Sequence, residues 1–111
     1  MSTVTRMFVL GLLFLLPVPS LAFAATQWVN VVSVGCYPSR DFCFANLDDS
    51  FDPGAGCAAG TQVRWNGNST NGQNVLKIFI GAQLSGRAVG LGTGATACVD
   101  TKPTFTYANL Q

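Results

Sequence analysis

The sequence predicts a mainly β domain with one helix (α+β), in the order β-β-β-α-β-β. Three observations predict it. Short runs rich in Val and aromatic residues are bounded by Gly, Asn, Asp and Pro. One segment alone repeats apolar residues at three- and four-residue spacing. All four cysteines follow an N-terminal apolar segment with the marks of an export signal.

That segment, "MSTVTRMFVLGLLFLLPVPSLAFAA", has one basic residue, Arg6, then an apolar stretch from Met7 to Leu16, then Pro17 and Pro19, then small residues. This is the order of a secretory signal peptide, with residues 1–24 removed by a cut between Ala24 and Ala25. The apolar run falls short of the roughly 20 residues that span a bilayer. No Cys stands at the cut to carry a lipid anchor. The expected mature chain, 25–111, is one small domain, secreted or periplasmic, without a membrane span.

The elements follow in order. "TQWVNVVSVGCY" reads as the first strand, and its apolar phase changes between Val29/Val31 and Val32/Val34, which suggests a bulge. "PSRD" is turn chemistry, and "FCFANL" returns as the second strand of a hairpin. "DDSFDPGAG" reads as a loop. Its Asp48, Ser50 and Asp52 alternate like calcium ligands, but Gly54 is one place late for an EF-hand and Ala59 stands where the Glu belongs. "GTQVRWNG" is the third strand, with Val63 and Trp65 on one face. "NGNSTNGQN" is a polar loop with the sequon Asn68-Ser69-Thr70.

"GQNVLKIFIGAQLSG" is the helix, capped by Asn71 or Asn74 and stopped at Gly86. Gly81 within it costs roughly 1 kcal/mol relative to Ala, which suggests close approach to another backbone. "RAVGLGTG" and "TFTYANL" complete the strands.

The glycines of "GLGTGA" do not form a phosphate loop. Such a loop follows a strand and opens a helix, whereas no helical period follows here, and the spacing is G-x-G-x-G. A Gly-rich strand and turn where neighbouring backbone packs closely, tied down at Cys98, is the expectation.

Export favours two disulfides. No His and no C-x-x-C pair is present for zinc. Four cysteines allow three pairings. The hairpin argument selects Cys36 with Cys43, across its turn, and Cys57 with Cys98.

The stretch "NVLKIFIGAQLSGRAVGLGTGATAC" joins an apolar helix, Ser-Gly-Arg, a Val strand and a Gly turn ending in Cys. It resembles the C-terminal half of small exported bacterial domains of the oligonucleotide/oligosaccharide-binding (OB) type. Among these are the subtilase-cytotoxin B subunit and its relatives, pentameric glycan-binding subunits of AB-type toxins. "DFCFANL" is similar to their Phe-Cys strand, and the pattern covers roughly residues 28 to 110. The resemblance implies an OB-like five-stranded barrel. No sugar-binding residue of that family is carried over to this chain.

The chemistry present narrows the function. No His and no Glu occur anywhere, so no Ser-His-Asp or Cys-His arrangement is possible. Asp48, Asp49 and Asp52 crowd one segment instead of facing each other across a cleft. An enzyme is not expected, and neither is a cofactor or metal. The mature chain sets Arg40, Arg64, Lys77, Arg87 and Lys102 against Asp41, Asp48, Asp49, Asp52 and Asp100, so no basic stripe exists for nucleic acid. Aromatic residues remain as binding candidates: Trp28, Tyr37, Trp65 and Tyr107, with Tyr37 beside the hairpin turn the foremost; Trp65 is also a candidate, although its alternation with Val63 favours a place in the core.

The expected function is therefore a secreted, non-enzymatic binding module for a glycan or protein surface. The apolar residues of the helix exceed what one buried face requires, which makes Ile78 a candidate contact in a homo-oligomer. The alternative is a monomeric secreted inhibitor or periplasmic accessory protein, separable by native mass.

Overall fold

The structure, a computed structural model, describes residues 25–54 and 56–111. The expected signal peptide, residues 1–24, and with it the Ala24 side of the expected cut, lies outside the described residues. The elements are β1 (Thr26–Val29), β2 (Val31–Cys36), β3 (Phe42–Phe51), β4 (Gly60–Asn66), α1 (Thr70–Ser85), β5 (Val89–Gly92) and β6 (Ala108–Leu110). They form two three-stranded antiparallel sheets, ordered β1-β5-β6 and β2-β3-β4.

The class and the position of the helix agree with the sequence. The barrel does not: there are six strands instead of five, and the two sheets do not close on each other. The first reason lies at Asn30, where the expected first strand breaks and changes sheets. The Asn30 backbone N–H and side-chain amide both donate to the Asp48 carboxylate, at 2.9 and 3.1 Å. Asp48 N–H donates back to Asn30 O at 3.0 Å. Before this corner β1 pairs with β5; after it β2 pairs with β3. The phase change in the sequence is a bulge as well, since the register slips between Val31 and Ser33 and leaves Val32 exposed.

The second reason lies at the seams. Between β1 and β3 the Gln27 side chain replaces a backbone ladder, donating to Ser50 O at 2.7 Å and accepting from Asp52 N–H at 3.3 Å. Beside β4 the chain runs irregularly through Pro103, whose carbonyl accepts from Arg64 N–H at 3.0 Å. Proline has no N–H to continue a ladder there.

Two further boundaries differ. The expected loop from Asp48 is strand as far as Phe51, because Phe51 is fully buried and draws the chain into the core. The helix begins at Thr70, earlier than the apolar period shows. Its cap is Ser69, whose hydroxyl accepts from Gly72 N–H at 2.9 Å, and not Asn71 or Asn74. Gly86 ends it in the left-handed conformation, φ 70°, as expected of a helix stop. Gly81 meets no backbone; a Cβ there would touch only Leu110 Cδ2, at 3.7 Å. The close approach is at Gly72 instead, where a Cβ would collide with Asn66 O.

The core gathers the inward residues of both sheets under α1. Val29, Val89 and Leu91 come from one sheet, and Cys43, Ala45, Leu47, Val63 and Trp65 from the other. Phe79 and Ala82 are the helix contribution. Trp65 stacks on Phe79 with centroids 4.8 Å apart and planes at 12°, and Phe105 tilts against both rings. The helix packs on β2 and β3 of one sheet and on β5 and β6 of the other, and so spans the two.

Candidate functional site

The outer face of β2-β3-β4 carries a connected row of side chains. Asn46 donates to Ser33 Oγ at 2.8 Å, Gln62 to Asn46 Oδ1 at 2.9 Å, and Arg64 Nε to Gln62 Oε1 at 2.7 Å. Arg64 Nη1 also donates to the carboxylate and to the carbonyl of Asp100, at 2.7 and 2.9 Å. Arg40 reaches the same carboxylate at 3.2 Å. Asp100 and Thr101 form a two-residue turn closed by Val99 and Lys102, and both have positive φ, 48° and 68°. That conformation is costly for a β-branched residue. The ion pairs hold the turn against the sheet.

Aromatic rings flank the same arginine. The Arg64 guanidinium lies 4.8 Å from the Phe42 centroid and 5.9 Å from Tyr37. Tyr37 tilts against Phe42 and Phe44, at 4.9 and 5.3 Å. Phe44 lies over Gly35, where a Cβ would come within 2.7 Å of its ring. Arg64 is thus almost wholly satisfied within the protein, whereas Tyr37 remains 40% exposed.

Tyr37 stands at the rim of a cavity of ≈ 130 Å³ between the β2–β3 turn and the start of α1. Pro38, Arg40, Phe42, Asn68, Gln73 and the Cys36–Cys43 disulfide also line it. The hairpin is doubly closed: Cys36 and Cys43 face each other in the ladder, and Tyr37 N–H donates to Phe42 O at 3.1 Å. The second disulfide joins Cys57 to Cys98, so both bonds follow the hairpin argument.

The other expected residues fall as follows. Trp65 is 5% exposed, its ring stacks on Phe79 and meets the tilted Phe105, and its indole donates to Gly72 O at 3.0 Å. Its candidacy as a ligand-stacking ring is therefore corrected: alternation with Val63 places it in the core. Ile78 packs half-buried against the core, which leaves Ile80 and Leu84 as the exposed apolar positions of the helix. The predicted Ile78 edge is displaced because the flank of α1 that carries Gly81 lies against β6.

The carboxylates are spread over separate local roles. Asp41 accepts from Asn68, Asp48 from Asn30, Asp52 from Gly54 N–H, and Asp100 from the two arginines. The Asp48 carboxyl is held below its ordinary value of 3.8, chiefly by the Asn30 backbone N–H and then by the Asn30 side chain. Among the described residues no cluster of three or more potential metal ligands occurs, and no helix is long and apolar enough to cross a membrane.

A second aromatic surface lies on β1-β5-β6 and explains the glycines. Trp28 stands directly opposite Gly90 in the ladder, and a Cβ at Gly90 would lie 3.0 Å from the Trp28 ring. A Cβ at Gly92 would collide with the Tyr107 ring, whose hydroxyl is hydrogen-bonded to Thr26 Oγ1. The expected close approach of neighbouring backbone is corrected: what packs on the bare strand is side chains, chiefly the two aromatic rings. Nothing local in "GLG" names those rings, since they come from 62 residues before Gly90 and 15 residues after Gly92.

No protein-family model, curated protein or solved structure matches this chain.

Proposed function

We propose that the mature chain is an exported, non-enzymatic binding module that recognises a glycan or a protein surface. The observation that carries this reading is the half-exposed Tyr37 at the rim of the hairpin cavity. Its ring is fixed by Phe42 and Phe44, and its backbone by the disulfide-closed turn. A pre-formed concave site with an aromatic wall and a few polar groups suits recognition. Arg40, Asn68 and Gln73 supply those polar groups, and ≈ 130 Å³ suits one sugar ring or one partner side chain. Carboxylates committed to separate local bonds, in a chain without His or Glu, support a role in binding over catalysis. The two disulfides support an oxidising compartment.

The test is binding by the purified mature domain on a glycan array and on an array of purified extracellular proteins, beside Tyr37→Ala and Arg40→Ala. Loss of a specific ligand in both variants, with unchanged unfolding, is the expected outcome. Retention of every ligand in both removes the hairpin cavity as the site.

A further inference from the structure

We propose that the outer face of β1-β5-β6 is a carbohydrate platform, on which Trp28 and Tyr107 stack against the rings of a neutral saccharide chain. The proposal shares with the preceding section only the idea of a binding module. It concerns a different surface, so either can fail alone.

The backbone register builds the platform. Val29, Val89 and Leu91 point into the core, so their neighbours Thr26, Trp28, Gly90 and Gly92 face outward. Both outward positions of the central strand are glycine. The bare strand forms a shallow trough, and the rings of Trp28 and Tyr107 are seated in it. Each ring touches the bare strand and stays partly open to solvent: Trp28 is 51% exposed and Tyr107 39%. The hydrogen bond from Tyr107 to Thr26 crosses β5 and fixes the second ring. The two seats are two residues apart, about 6.6 Å along the strand, on the scale of one pyranose unit.

The surrounding groups select the occupant. Asn109 lies across the ladder from Gly90, on the side opposite Trp28. Thr26, Thr106 and Asn109 offer neutral donors and acceptors for hydroxyl groups. Trp28, Gly90 and Asn109 make one row and Thr26, Gly92 and Tyr107 the next, without a charged side chain. Beyond Trp28, Asp48 is anchored on Asn30, and at the same end of the sheet Arg87 donates to Gln111 O at 3.5 Å, so charges of both signs flank the platform there. Neither sign dominates, so an acidic ligand finds no net attraction. A protein partner needs roughly 20–30 residues on each side of a standard interface, whereas this face presents two rings in a narrow polar frame. A neutral saccharide, apolar on its ring faces and hydroxylated at its edges, matches rings flanked by amide and hydroxyl groups.

The experiment is a fluorescence titration of the disulfide-bonded mature protein. The probes are neutral hexasaccharides of β-1,4-glucose, β-1,4-N-acetylglucosamine and α-1,4-glucose, with hexagalacturonate as the acidic counterpart. At least one neutral probe should change the emission of exposed Trp28 saturably and bind more tightly than hexagalacturonate. Trp28→Ala should weaken it on the order of tenfold or more, and Trp28→Phe should retain part of the affinity. Gly92→Ala, which displaces the Tyr107 ring without removing it, should weaken binding while the unfolding midpoint stays near wild type. The proposal is overturned if no neutral probe binds, if the acidic probe binds best, or if Trp28→Ala binds as wild type. A neutral probe lost in Tyr37→Ala but kept in Trp28→Ala also overturns it, and leaves the module reading intact at the hairpin.

Discussion

The outer faces of the two sheets handle their side chains in opposite ways. On β2-β3-β4 the outward groups bind one another: Ser33, Asn46, Gln62 and Arg64 run in a bonded row to Asp100, and Phe42 covers the guanidinium. What stays open is one ring, Tyr37, beside a small concavity. On β1-β5-β6 the central strand has no outward side chains, and rings from its two neighbours lie across it. The first face spends its polar groups on locking the sheet and offers a pocket; the second leaves its rings half free and offers a flat platform. The difference shows why glycine in a strand is not simply weakening. It loses packing of its own but admits a large ring from next door, which restores the cover.

The two tryptophans break this comparison most sharply. Trp65→Ala removes a buried ring stacked on Phe79, together with the partner of Gly72 O, and should cost about 3–5 kcal/mol. Trp28→Ala removes a ring that is half in solvent and should cost below about 1 kcal/mol. Urea unfolding midpoints of the two variants measure the contrast. Equal losses would mean that Trp28 belongs to the fold and not to a free surface.

The disulfides come next in size. The Cys57–Cys98 bond closes a separation of 41 residues and the Cys36–Cys43 bond one of 7. Chain-entropy arithmetic gives about 4 kcal/mol for the first and about 2.4 kcal/mol for the second. Cys98→Ser should therefore lower the thermal midpoint more than Cys36→Ser. The structure sharpens the expectation, because the hairpin keeps its ladder and its Tyr37–Phe42 hydrogen bond without the sulfur bridge. A larger loss for Cys36→Ser would show that the hairpin bond also holds the rim of the cavity.

The smallest effect concerns the corner where the chain passes from one sheet to the other. The Asp48 carboxyl is held below its ordinary value of 3.8 by bonds from Asn30. A lowered folded-state value means that the ionised form stabilises the fold above the ordinary value. That contribution is lost as pH falls through the lowered one. Wild type should therefore lose stability more steeply than Asp48→Asn between about pH 5 and about pH 2. Parallel acid slopes from denaturant titrations would show that the corner is held by backbone bonds alone.

Much of this was legible in the residues. The spacing of Val75, Leu76 and Phe79 shows the helix, Gly86 its end, and Val63 with Trp65 an inward face. The hairpin cysteines are legible because turn residues stand between them and local geometry decides their pairing. The candidate site was legible in part: Tyr37 is exposed beside its turn, as its neighbour Pro38 suggests. Trp65 is buried, the place that its alternation with Val63 favours over a ligand-binding role.

What the sequence by itself determined is therefore local: which segments are extended, which is helical, and where turns fall. Those properties depend on neighbours within a few residues, such as a turn residue, a capping hydroxyl or an apolar period. Tertiary structure alone decided that "TQWVNVVSVGC" is two strands in different sheets, because the bond that divides it comes from Asp48, 18 residues beyond Asn30. It alone decided what lies on Gly90 and Gly92, since Trp28 and Tyr107 reach them only through strand pairing. It also left the sheets unclosed, because closure depends on which groups meet at the seams, and there a glutamine side chain and a proline stand where two ladders would have to run.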